Sequence, residues 1–209
     1  MNRLNGTMAH AGKSIPFLYL SHKKKSNTLA ILLPGLGYTN QAPLLFYTTS
    51  IIASKGYDVL QVNYKYSREE MSNLKEGDFT DAILKVIHHI IEKQDYEHYI
   101  LVAKSMGTIA LPYLLENPLF QSAKVVWQTP LLQREDVYKS LRITKNRGLL
   151  FIGDKDPCYI EERVSFLHSR TNLALHIIEN GDHALELNND VFASIEIISD
   201  IVRKIDDFI

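Results

Sequence analysis

Cysteine is nearly absent. Cys158 stands alone in 209 residues, so no disulfide can form within the chain, and a reducing compartment suits it. An excess of charge is absent too. Lys and Arg total 23 against 24 Asp and Glu, a net charge of −1, which removes any general attraction to nucleic acid or anionic membrane. Lys23-Lys24-Lys25 is a short, isolated basic run and reads as a solvated turn. No apolar stretch approaches the roughly 18 residues of a membrane span. Met1 to Lys13 lacks the apolar h-region of a signal peptide. Internal repeats and low-complexity linkers are also missing. The expectation is a cytoplasmic protein with residues 1–209 as a single domain, no nucleic-acid partner and no membrane span. Oligomeric state stays open.

What is present is a core-forming composition, 45% hydrophobic, arranged in alternating patterns. Short apolar β-rich runs predict strands at Ile15–Leu20, Leu29–Leu33, Tyr57–Tyr64, Tyr99–Ala103, Val125–Gln128, Leu149–Ile152 and Leu173–Ile178. Between them, helical patterns cover Leu44–Ser54, Asp78–Lys93, Met106–Glu116 and Ile160–Ser169. A final helix over Asp190–Phe208 carries Val191, Ile195, Ile198, Val202 and Ile205 on one predicted apolar face. Strands alternating with helices argue for a mostly parallel sheet covered on both faces. Ligands of such sheets sit beyond the carboxyl ends of the strands, so chemistry is expected just after them.

Four post-strand segments qualify. Ala103-Lys104-Ser105-Met106-Gly107 lies between a strand and a helix. Small residues, Ala103 and Gly107, lie two positions to either side of the serine, and Gly107, a poor helix former, suggests close backbone approach. Taken alone, Ser105 serves equally well as a helix cap, and Lys104 reads as solvent-facing. Pro34-Gly35-Leu36-Gly37-Tyr38 is a glycine loop without the G-x-x-x-x-G-K-[ST] pattern of a phosphate loop. Gly153-Asp154-Lys155-Asp156-Pro157 follows a third strand, where Asp156 before proline also suits an N-cap. Glu179-Asn180-Gly181-Asp182-His183 follows the last strand. His183 by itself would be an ordinary loop histidine. The other histidines lie in predicted helices (His88, His89, His168), in a strand (His176) or early in the chain (His10, His22, His98), none with a second ligand at metal spacing.

Taken in order, these segments resemble the α/β-hydrolases over nearly the whole chain, from Ile15 to Ile209. Ala103-Lys104-Ser105-Met106-Gly107 is similar to their G-x-S-x-G nucleophile elbow, with alanine for the first glycine, one methyl larger. Pro34 stands where the family often has histidine. The resemblance implies a three-layer α/β-hydrolase fold and a triad of Ser105, Asp156 and His183. It selects Asp156 over Asp154 by the family's strand–Gly-x-x-Asp spacing. It also implies an oxyanion hole from the backbone N–H groups of Met106 and Leu36, with Gly37 as the near alternative to Leu36. No cofactor and no metal are expected. Gln128 to Arg147 has room for a loop and one short helix, so no lid domain is expected, and the site should be open and shallow. The implied activity is serine hydrolysis of a small-molecule acyl ester or thioester through an acyl-enzyme. An acyltransferase on the same triad, or a non-catalytic ligand-binding protein of this fold, are the alternatives. A dinucleotide-binding protein is disfavoured by the lack of G-x-G-x-x-G opening a βαβ unit.

Overall fold

The computed structural model describes residues 1–73 and 77–209. Its strands are β1 (Asn2–His10), β2 (Lys13–Ser21), β3 (Thr28–Leu33), β4 (Asp58–Val62), β5 (His98–Lys104), β6 (Lys124–Gln128), β7 (Gly148–Gly153) and β8 (Leu173–Ile178). They form one eight-stranded sheet in the order β1-β2-β4-β3-β5-β6-β7-β8. From β4 across to β8 neighbours run parallel. Strand β2 is antiparallel to both β1 and β4.

The helices are α1 (Pro43–Ser54), α2 (Arg68–Asn73), α3 (Asp78–Ile91), α4 (Leu111–Glu116), α5 (Glu135–Ile143), α6 (Glu161–His168) and α7 (Val191–Phe208). A 3₁₀ helix over Ser105–Ala110 leads directly into α4. Side chains alternate across a strand, and this divides the core in two. Leu29, Ile31 and Leu33 of β3 pack with Leu101 and Ala103 of β5 against α3 to α6. Ala30 and Leu32 pack with Ile100, Val102 and Phe151 against α1 and α7. Helices therefore cover both faces of a mostly parallel sheet, as expected. The connection after β6 contains α5 and no lid domain. Among the described residues, no helix is long and apolar enough to cross a membrane.

Three features depart from the sequence reading. The N-terminal segment forms β1, an edge strand whose residues are mostly exposed. It joins β2 through a tight turn in which Ala11 and Gly12 both have positive φ, the hairpin geometry that matches strand twist. Backbone pairing holds β1, so its sequence shows little hydrophobic pattern. The elbow helix begins as a 3₁₀ turn rather than an α-helix. On α7, Ile198 and Ile205 are buried together with Ile201, but Val191 and Ile195 are 71% and 56% exposed. The apolar stripe runs past the core and borders an open groove with Phe46 and Tyr47 of α1.

Candidate active site

Strand β5 is buried almost throughout and ends in the middle of the sheet. Ser105 is the next residue, with φ 50. A non-glycine residue in that left-handed region is strained, and this backbone geometry turns the chain sharply out of the strand. The turn is tight because the helix then passes over β3. A Cβ on Gly107 would lie 2.3 Å from the carbonyl oxygen of Leu33, so glycine is needed there. Ser105 does not cap the helix with its side chain, because its Oγ is 2.7 Å from His183 Nε2.

The glycine loop after β3 lies against this turn. A Cβ on Gly35 would be 3.2 Å from that of Ser105. The N–H of Gly35 donates to the carbonyl of Tyr38 at 3.1 Å, and the Tyr64 hydroxyl donates to the carbonyl of Pro34 at 2.5 Å. Leu36 and Gly37 are exposed at the tip, and Gly37 has φ 79. Met106 is buried at the first step of the elbow helix.

The loops after β7 and β8 meet each other. A Cβ on Gly153 would fall 1.9 Å from the carbonyl oxygen of Gly181, so the close approach of the two loops depends on that glycine. Across the contact, Asp156 Oδ1 is 2.8 Å from His183 Nδ1. The Asp156 side chain is fully buried, while that of His183 is 37% exposed. Asp156 Oδ1 also accepts from the N–H of Cys158 at 2.8 Å. Helix α6 starts only at Glu161, so Asp156 is not its cap. Asp154 pairs at 3.6 Å with its exposed neighbour Lys155. The structure thus joins Ser105, His183 and Asp156 in one hydrogen-bonded line and leaves Asp154 outside it.

Asp156, Cys158 and His183 place ligand-type atoms within 4.8 Å of one another. Both ring nitrogens of His183 are already engaged by Ser105 and Asp156, so a cation bound through that ring would displace one of them. Burial, and next the Asp156 charge, push the Cys158 thiol up to about 11. It is protonated at neutral pH, which makes it a poor ligand and nucleophile.

Lys104 is not solvent-facing. It is 1% exposed, on the face of β5 that also carries Ile100 and Val102. Its Nζ donates to Thr129 Oγ1 at 2.9 Å and to the carbonyl of His183 at 2.8 Å. The sequence signal for this was the β5 alternation itself, extended one residue beyond Ala103.

The model of a family described as an alpha/beta hydrolase domain matches residues 26–209. Comparison with curated proteins finds no match. Among solved structures, the chain is similar to an alpha-beta serine hydrolase homologue from Coxiella burnetii, with 16% identity and a TM-score of 0.72 over 98% of each chain. It is similar to a putative alpha/beta hydrolase from Agrobacterium tumefaciens, with 15% identity and a TM-score of 0.73 over 98% of this chain and 94% of that one. A lid-less serine hydrolase from Xanthomonas campestris matches at 14% identity and a TM-score of 0.68, over 98% of this chain and 92% of that one. At such identities these likenesses concern the fold.

Proposed function

The chain belongs to the alpha/beta hydrolase family, and on that premise we propose that residues 1–209 act as one serine hydrolase unit that cleaves small-molecule acyl esters or thioesters. The carrying observation is the line from Ser105 Oγ to His183 Nε2 at 2.7 Å and from His183 Nδ1 to Asp156 Oδ1 at 2.8 Å. In this reading Nδ1–H donates to Asp156, which leaves Nε2 as the acceptor of the serine proton. Ser105 Oγ attacks the acyl carbonyl as that proton moves to His183. The oxyanion so formed takes hydrogen bonds from the backbone N–H groups of Met106 and Leu36. The imidazolium then protonates the departing alcohol or thiol, leaving an acyl group on Ser105. A water molecule gives a proton to His183 as its oxygen attacks that ester; the bond to Ser105 Oγ then breaks, His183 returns the proton to Oγ, and the acid is released. The buried carboxylate of Asp156 orients the ring and stabilises its cationic form throughout.

The half-exposed position of His183 and the short connection after β6 favour small or flexible acyl groups over substrates that need a sealed cavity. The deciding experiment is labelling with a fluorophosphonate probe, together with turnover of a panel of short-chain esters and thioesters, on wild type and Ser105→Ala. Labelling and turnover should both be lost in the variant while circular dichroism is unchanged. Normal turnover in a folded Ser105→Ala protein would end the assignment.

A further inference from the structure

We propose that Lys104 is a positioning residue of this site: its ammonium ties the loop bearing His183 to the strand end that presents Ser105, and its charge opposes protonation of the base. This rests on the serine-hydrolase reading for its catalytic meaning, but its geometry stands independently of it.

An ammonium has three N–H donors and no acceptor. In Lys104 one points to Thr129 Oγ1, just past the end of β6, at 2.9 Å. Another points to the carbonyl of His183 at 2.8 Å. Nζ also lies 4.6 Å from the centre of the Tyr38 ring, a favourable place for a cation over an aromatic face. Tyr38 belongs to the glycine loop, and its hydroxyl accepts from the N–H of Leu44 at 3.2 Å. One side chain thus reaches the loop with the proposed oxyanion donor, the loop with the proposed base and the end of β6. It does so from the residue adjacent to the proposed nucleophile.

A merely space-filling role is a poor explanation. Burial of a cation is costly unless partners repay it, and an unbranched apolar side chain would fill the same space. The partners here belong to the site. Asp156 from the loop after β7, then Asp182 and Glu186 from the base loop, favour the charged form against burial, which lowers Lys104 to about 8. Cys158 also faces it as a protonated thiol, and Tyr38 covers it from the glycine loop. At neutral pH Lys104 is therefore mostly cationic. A positive charge bonded to the main chain of His183 works against a second positive charge on its ring.

The test compares Lys104→Met, which removes charge and donors, with Lys104→Arg, which keeps both. Each variant is first checked by circular dichroism. kcat and KM for a short-chain p-nitrophenyl ester are measured across pH, and the ring protons of His183 are titrated by NMR. For Lys104→Met we expect kcat at least about tenfold lower with KM altered less than about threefold. Its acid limb and His183 ring titration should both move up by roughly half to one pH unit, the sign that follows from removing a cation. Lys104→Arg should keep the limb at its wild-type position even if its larger head lowers kcat. Wild-type kcat in Lys104→Met, or a loss of kcat with an unmoved ring titration, would overturn the proposal. Should Lys104→Met not fold, Lys104→Gln supplies the same comparison by the same criteria. A wild type inert to both ester and fluorophosphonate would instead defeat the serine-hydrolase reading, and the ring titration would still decide the charge effect of Lys104.

Discussion

The carboxylate of Asp156 is asked to do two things at one oxygen. Oδ1 accepts from the N–H of Cys158 and from His183 Nδ1, while Oδ2 is buried without a hydrogen-bond partner. An asparagine has nearly the same shape but can offer an N–H where the ring needs an acceptor, which favours the wrong imidazole tautomer. In the serine protease used as a general precedent, the equivalent change costs on the order of 10⁴ in turnover. Asp156→Asn should lose on the order of 10³ to 10⁴ in kcat against a short-chain ester, whereas Asp154→Asn should stay within a few fold. Equal activity in the two variants would remove Asp156 from the mechanism. Cys158, two residues on, offers a contrast. Its thiol is raised to about 11, and the contact to Asp156 comes from its backbone N–H. Cys158→Ser should therefore keep activity within a few fold, measured under reducing conditions. Collapse of activity there would require the thiol in the chemistry.

At the level of elements, the site depends on how closely three strand ends and their loops approach. The loops after β7 and β8 touch through Gly153, where an added methyl would overlap the carbonyl of Gly181 at 1.9 Å. Backbone atoms cannot yield as a side-chain tip can. Gly153→Ala must push the two loops apart, and with them Asp156 from His183. Overpacking of this kind costs about 1–3 kcal/mol. The variant should show a lower midpoint in urea denaturation together with a fall in kcat. An unchanged midpoint and normal turnover would mean that the loops are free to separate without consequence. The 3₁₀ start of the elbow helix belongs to the same set of constraints, since Gly107 lets it cross the carbonyl of Leu33.

Across the whole molecule, Lys104 links the site to folding stability. Burial lowers the folded-state pKa of Lys104 to about 8, from the 10.5 of an ordinary lysine. The unfolded chain therefore binds more protons between these values, and stability rises with pH across that window. The sign is that of a buried cation: its burial weakens the fold below pH 8, and the penalty disappears as the ammonium deprotonates. The stability difference between wild type and Lys104→Met should move in favour of wild type from about pH 8 to about pH 10.5, by at most about 3 kcal/mol. The comparison cancels the buried tyrosines Tyr64 and Tyr96, which burial also holds above their ordinary range. Chemical denaturation of both proteins at pH 7, 8.5 and 10 measures the trend. A constant difference would show that Lys104 is already neutral, or remains charged, throughout.

The alternation of short apolar runs with helical patterns was sufficient to determine the layered, mostly parallel architecture. Burial on both faces demands continuous apolar strands such as Leu29–Leu33, and one-sided packing demands periodic helices such as α3. The strand ends that precede the serine, aspartate and histidine loops were likewise legible in the pattern, while the choice of Ser105, Asp156 and His183 came from the resemblance to α/β-hydrolases. Edge strand β1 was not legible, since backbone pairing with β2 leaves its side chains mostly exposed. Nor was the surplus apolar stripe on α7, because periodicity gives a face but not the extent of the surface it meets. The hydrogen-bonded contacts of Ser105 and Asp156 with His183 and the burial of Lys104 were decided only when the strands lay side by side. These depend on distances between loops some 25 to 80 residues apart in the chain. Local sequence fixes which strand face a side chain leaves from, and only tertiary packing determines whether water or another loop lies beyond it.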